Sequence, residues 1–331
     1  MKRLSILIAI LVLVWTQSVP QIAPVDPTLR ADTSYTINYY SFKNLVGTST
    51  YFKVDFSASK IQVPEGELTN CMIKFNSVAV SNPLCSCDAG VCTFKPRKSA
   101  QYNTKVEIEL PGAKNPSYLS SQTLPVFINF SPSITSESHT VTIPYSAYIP
   151  MSIQVNSLTQ SDYGVGKIPV TYAMNVSLSY ISADPQLQIV IPQEVNIENI
   201  NCEISFYGTV QNIFPLQVQN LLIFNLQTVA IPEPSGFMLI TIQGLGNPQF
   251  LGKSESFKLT FMETQDVKNC ASCKIAELTA GLEAESKTPG DIQPTNLASS
   301  NQTVGMETIL SLNSKYYAPI PVGGYVRIYM P

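Results

Sequence analysis

The sequence predicts an all-β protein made of antiparallel two-sheet sandwiches in tandem. Three observations carry that expectation. Short runs alternate apolar and polar side chains, the pattern of a strand with one buried face. Among the 331 residues, 24 prolines and 16 glycines punctuate these runs, many where a strand must end. Landmarks also recur at one spacing. GAKNPSYL begins at Gly112 and GLGNPQFL at Gly244, while Cys71 in LTNCMIKF is echoed by Cys202 in NINCEISF. Asn115 to Asn247 is 132 residues and Cys71 to Cys202 is 131, so two landmarks agree on one repeat.

From the N-terminus, Lys2 and Arg3 precede an apolar run, Leu4 to Trp15, well short of the ~20 residues that span a bilayer. Small residues follow at Thr16 and Ser18. Residues 1–18 therefore read as a secretory signal peptide, the alternative being an uncut anchor helix. Residues 19–34 form an N-terminal segment, 35–150 a first sandwich, 151–290 a second, and 291–331 the opening strands of a third. No later stretch is long and apolar enough to be a transmembrane segment.

Within the first sandwich, TKVEIEL places Val106, Ile108 and Leu110 on one face and Lys105, Glu107 and Glu109 on the other. FMLITIQ, HTVTIPY and VTYAMNV behave alike. KIAELTAGLEAE, Lys274 to Glu285, favours helix by composition, yet Gly281 and its place in the repeat make it strand or loop. A third landmark is a Val-Gly pair at 46–47, 165–166 and 304–305. Each pair precedes strand regions that end at a proline: Pro64, Pro192 and Pro331. The last strand, Val326 to Met330, has no evident partner. The expectation is that the chain continues beyond Pro331; the alternative is that this strand completes a sandwich in a second molecule, giving a filament.

In unit order, a Val-Gly-led strand is followed by a Gly-Tyr-Val-x-Ile-x-x-Pro strand, a lone Cys, then G-x-x-N-P and another strand. This order resembles the tandem immunoglobulin-like sandwiches of very large secreted or surface glycoproteins of ciliated protists, over roughly residues 35 to 331. The resemblance implies immunoglobulin-like β-sandwiches in an extracellular coat or filament, and no catalytic residues. Immunoglobulin domains proper match less well: Trp15 is the only Trp, so the core Trp is missing.

Charge excludes some partners. Removing the signal moves the formal charge from −3 to −5, the wrong sign for nucleic acid or an anionic membrane. Charged residues are 13% of the chain, about half the usual ~25%. Hydroxyls, amides and N-linked glycans are expected to solvate the surface instead. Three sequons qualify: Asn129-Phe-Ser, Asn175-Val-Ser and Asn301-Gln-Thr. Parity puts Asn129 opposite the face of Val126, Ile128 and Phe130, and Asn175 opposite that of Val176, Leu178 and Tyr180.

Seven cysteines in a secreted chain imply disulfides. Of the three pairings open to Cys71, Cys85, Cys87 and Cys92, Cys71–Cys85 and Cys87–Cys92 are expected. A four-thiolate zinc site is the competing reading, disfavoured by compartment and by the tight Cys85-x-Cys87 spacing. Cys270 and Cys273, in CASC, read as a loop-closing disulfide rather than a redox pair. Cys202 is left over and is expected to be a buried thiol, or else a bond to another chain.

Catalytic residues are not expected. His139 is the single histidine, placed at the start of an exposed strand. Glu65 with Glu67, and Glu107 with Glu109, read as solvated pairs. Neither metal nor cofactor is expected: the repeat junctions offer calcium only Asp162 and Asp291, too little charge for a tight site. The expected function is a secreted, glycosylated structural or adhesive protein whose partners are other copies of itself or other extracellular glycoproteins. A carbohydrate-binding module would require tyrosines lined up on one exposed face. A secreted hydrolase would require His139 or a carboxylate pair to converge in a cleft.

Overall fold

The computed structural model describes residues 19–130, 136–180, 185–206, 209–226, 236–264, 273–289, 296–301, 303, 307 and 309–313. These form two compact units, the first comprising residues 1–151 and 265–275, the second residues 152–264 and 276–331. Among the described residues the chain is all-β, and each unit is an antiparallel sandwich of two sheets.

The first unit contains β1 (Gln21–Pro24), β2 (Asp32–Ser41), β3 (Tyr51–Asp55), β4 (Gly66–Glu67), β5 (Met72–Phe75) and β6 (Val78–Ala79). It continues through β7 (Leu84–Asp88), β8 (Val91–Lys95), β9 (Thr104–Lys114), β10 (Gln122–Asn129) and β11 (Glu137–Ile143). One sheet runs β1-β2-β9-β5-β6 and the other β11-β10-β3-β8-β7-β4. Alternation decides which faces meet. Tyr35, Ile37 and Tyr39 of β2 and Val106, Ile108 and Leu110 of β9 point inward and are at most 2% exposed. Against them pack Phe52, Val54 and Phe56, with Tyr39 meeting Phe52 edge-on at 6.1 Å and Tyr35 meeting Phe56 at 6.3 Å. Each such side chain contributes about 1.5–3 kcal/mol by leaving water.

The second unit contains β12 (Met151–Ser152), β13 (Gln154–Gln160), β14 (Val170–Leu178), β15 (Pro185–Val190), β16 (Ile197–Phe206), β17 (Thr209–Asn212) and β18 (Leu216–Val218). It continues through β19 (Leu221–Asn225), β20 (Gly236–Leu245), β21 (Gly252–Ser256), β22 (Lys258–Glu263), β23 (Lys274–Leu278) and β24 (Glu283–Ser286). Its sheets run β13-β14-β20-β16-β17 and β12-β23-β22-β15-β19-β18, with β21 and β24 as a separate pair. The five-stranded sheet repeats the first unit strand for strand. In the six-stranded sheet β23-β22-β15-β19-β18 answer to β11-β10-β3-β8-β7, while β12 and β4 have no counterpart. β25 (Asn296–Ser299) and β26 (Leu310–Asn313) pair antiparallel with each other.

Register fixes the equivalences. Tyr35 stands opposite Leu110 and Tyr172 opposite Ile242. Ile73 stands opposite Ile108 and Ile204 opposite Ile240. The Asn115/Asn247 and Cys71/Cys202 landmarks therefore mark the same places in both units. The Val-Gly landmark does not. Val46-Gly47 follows β2, whereas Val165-Gly166 precedes β14, the counterpart of β2. The two glycines answer different demands: a Cβ on Gly47 would lie 2.8 Å from the backbone of Lys98, while Gly166 adopts φ +63°. Val304, Gly305 and the strand at 326–330 lie outside the described residues, as does the signal segment 1–18.

One further expectation changes and one holds. Residues 19–34 are not a separate lead-in: β1 pairs with β2 from Gln21↔Asn38 to Pro24↔Tyr35 and forms the sheet edge. The sequence hides this because β1 is only four residues long and includes Pro24, which an edge tolerates. The helix-favouring stretch 274–285 is strand, as β23 and β24, interrupted at Gly281 with φ +95°. Tertiary pairing overrides propensity there.

Candidate functional site

Buried polar groups mark where a fold spends its specificity, and here they form one arrangement twice. In the first unit, the Tyr35 hydroxyl donates to Asn115 Oδ1 at 2.6 Å. Asn115 Nδ2 donates to the carbonyls of Asp26 and Thr28, both at 2.7 Å. In the second unit, Tyr172 donates to Asn247 Oδ1 at 2.8 Å, and Asn247 Nδ2 donates to the carbonyls of Asp162 and Gly164, both at 2.9 Å. Both asparagines are nearly sealed, at 3% and 0% exposed. An Asp carboxylate shapes the receiving loop in each case: Asp26 Oδ1 accepts from Thr28 N and Asp162 Oδ1 from Gly164 N. The loop of each sandwich is thus tied to its five-stranded sheet by a fully satisfied amide.

The clasps differ at their margins. Tyr148 lies 3.2 Å from the Tyr35 hydroxyl, and burial pushes the Tyr148 phenol up to about 12. In the second unit Gln160 takes that place, with Nε2 2.7 Å from Asn247 Oδ1 and 3.2 Å from the Tyr172 hydroxyl. Burial holds Tyr35 and Tyr172 above the ordinary phenol range. In the sequence the N-P dipeptides stand out only as landmarks. The signal for their role was the pairing of each with a Tyr at an inward strand position.

Cysteines staple the first unit. Cys71 and Cys85 are bonded, with Cα atoms 6.2 Å apart, joining the lead into β5 to β7 and so one sheet to the other. Cys87 and Cys92, directly opposed in the β7–β8 ladder, form a second bond. With those sulfurs consumed in pairs, no thiolate ligands for zinc remain at this loop. Cys202 is free and buried, and desolvation pushes its thiol up to about 12. Cys270 lies outside the described residues.

His139 departs from expectation. It stands on β11 opposite Val126, but on the inward side with Val141 and Ile143, and its side chain is 16% exposed. The period of HTVTI carried that signal. Its Nε2 lies 3.3 Å from Glu137 Oε2, which also accepts from the Tyr39 hydroxyl at 2.8 Å, while Lys43 Nζ sits 3.0 Å from Glu137 Oε1. Burial acts to raise the Glu137 pKa, but hydrogen bonds from Lys43, Tyr39 and His139 together bring it below the usual carboxylate range. The histidine's hydrogen-bond partner is a carboxylate.

The other candidates are dispersed. Glu65 accepts from the amides of Ala89 and Gly90 at 3.1 and 3.3 Å, closing the β7–β8 turn, and Glu67 is exposed on β4. Glu107 is ion-paired with Lys105 on the outer face, with Glu109 two residues on. Asp162 is occupied by its own loop, and Asp291 lies outside the described residues. No group of three or more His, Cys, Asp or Glu side chains converges among the described residues. Of the tyrosines in YTINYYSF, Tyr35 and Tyr39 are core; Tyr40 is exposed on β2, far in sequence from exposed Tyr102 and Tyr145.

Asn129 ends β10 and Asn175 lies within β14, each on the face away from the core, while Asn301 lies off any strand. Asn129 Nδ2 donates to the Ser49 carbonyl at 2.8 Å, and Asn175 Oδ1 accepts from Asn156 at 3.2 Å. Asn301 Oδ1 accepts from Thr303 N at 2.9 Å. No helix among the described residues is long and apolar enough to cross a membrane.

The fold and its polar interior define a class: an all-β chain of antiparallel sandwiches, each closed by a buried Tyr–Asn clasp. No family model and no curated protein matches the chain. Among solved structures, the C-terminal domain of the Streptococcus pyogenes antigen I/II-family protein AspA aligns at 11% identity and TM-score 0.28, covering 82% of this chain and 100% of that one. The C-terminal domain of the Streptococcus agalactiae antigen I/II polypeptide BspA aligns at 11% and 0.29, covering 81% and 100%. The collagen adhesin of Staphylococcus aureus aligns at 8% and 0.20, covering 81% and 94%. At such TM-scores these superpositions carry no argument about this chain.

Proposed function

We propose that the chain is a secreted or surface-displayed glycoprotein without catalytic activity, a structural or adhesive element of an extracellular coat, array or filament. Its partners are other copies of itself or other extracellular glycoproteins, and it needs no cofactor. The observation that carries this reading is the repetition of one sandwich closed in each unit by the same buried Tyr–Asn clasp. A catalytic or ligand site keeps polar groups poised toward a cleft. In both clasps they face their own backbone and one another. The basic and apolar leader, the sequons and the two disulfides support an oxidising, exported destination.

The test is recovery of the protein from its native source. Brief protease treatment of intact cells, or collection of the medium, should release it with Cys71–Cys85 and Cys87–Cys92 peptides oxidised and at least one sequon carrying sugar. Recovery only from the cell interior, with reduced thiols and bare sequons, would overturn the proposal.

A further inference from the structure

The outer face of the second unit's five-stranded sheet carries two bare apolar side chains, Phe237 at 61% and Leu239 at 42% exposed. Both stand on β20. Leu239 is directly opposite Asn175, and Phe237 directly opposite Ser177. Opposed residues share a face with Cβ atoms about 5 Å apart. Asn175-Val176-Ser177 is a sequon. Its two outward residues are therefore the ones that face the two apolar side chains. Asn156 engages Asn175 at Oδ1, leaving Nδ2, the atom that accepts sugar, without a protein partner among the described residues.

The first unit provides an internal control. The equivalence that matches Tyr35 with Tyr172 and Leu110 with Ile242 also matches Asn38 with Asn175, Glu107 with Leu239 and Lys105 with Phe237. Asn38-Tyr39-Tyr40 is not a sequon, and there the facing residues are the ion-paired Lys105 and Glu107. The same positions are charged where there is no sequon and apolar where there is one.

We propose that Asn175 is N-glycosylated and that the first N-acetylglucosamine lies across Leu239 and Phe237, its apolar ring face covering them and its hydroxyls facing water. In the transfer, the Nδ2–C1 bond forms as the C1–O bond to the diphosphate of a lipid-linked oligosaccharide breaks. The diphosphate departs and one amide proton passes to solvent. This inference rests on the glycoprotein reading above and specifies what one glycan does: it finishes the surface of the second sandwich.

The test uses the full chain secreted from a eukaryotic host. Peptide mapping should find sugar on Asn175. Enzymatic trimming to the first N-acetylglucosamine should leave hydrophobic-dye binding and Tm unchanged. Complete removal, or Asn175→Gln, should raise dye binding several-fold and lower Tm by about 3 °C. In a Phe237→Ser, Leu239→Ser variant the trimmed and stripped forms should bind dye alike. A bare Asn175 beside an occupied Asn129 or Asn301 would overturn the inference while leaving the glycoprotein reading intact. So would an occupied Asn175 whose removal changes neither dye binding nor Tm. Three bare sequons would sink both.

Discussion

At the residue scale, the clasp asparagines hold the account together. Asn115→Ala removes the acceptor of the Tyr35 hydroxyl and orphans the carbonyls of Asp26 and Thr28. A buried group left without a partner costs about 1–3 kcal/mol, so chemical denaturation should show a loss of about 3 kcal/mol for Asn115→Ala and for Asn247→Ala alike. Glycine at the bulge is a second test. A Cβ on Gly244, φ +86°, would lie 2.1 Å from the Glu198 carbonyl, whereas one on Gly112, φ +70°, meets nothing nearer than Pro64 at 3.8 Å. Gly112→Ala should cost about 1 kcal/mol from backbone strain alone, and Gly244→Ala clearly more, read by the same denaturation curves. The buried phenols set the alkaline limit. Unfolded tyrosines ionise near pH ~10, while burial raises Tyr35, Tyr39 and Tyr172 beyond that and Tyr148 to about 12. Raised folded pKa values give stability that is complete below pH ~10 and is lost as pH rises toward about 12. Tm should fall across that window, and Tyr35→Phe should soften the fall.

At the element scale, the strands were largely legible because alternation is a local signal: Val106, Ile108 and Leu110 sank into the core as TKVEIEL indicated. What stayed hidden was long-range. Nothing local says that Gln21–Pro24 pairs with β2, and a Val-Gly pair reads the same whether a close backbone approach or a positive φ demanded the glycine. The cysteines show a further asymmetry between units. Cys71 is bonded to Cys85, while its counterpart Cys202 has no partner and is buried. Closing a loop of about 15 residues is worth about 3 kcal/mol in the chain-entropy account. Cys273, between β22 and β23, is also disulfide-bonded, so reduction should lower the unfolding midpoint of the first unit by more than that of the second, a difference that calorimetry with and without reductant would show.

At the scale of the whole molecule, the repeat was legible in the sequence but its purpose was not. Asn115 and Asn247 stood out by spacing, yet their hydrogen bonds involve Tyr35, 80 residues away, and Tyr172, 75 residues away. The place of His139 was legible in the parity of HTVTI, which puts it on the same face as Val141 and Ile143. The central claim is that this is a mechanical element made of two separately closed sandwiches. Pulling single molecules from both ends tests it most directly. The account predicts two discrete unfolding events per chain, and reduction should lengthen one of them by about 60 Å as the disulfide loops are freed. Asn247→Ala should weaken the other. A single cooperative event, or extension without force peaks, would contradict it.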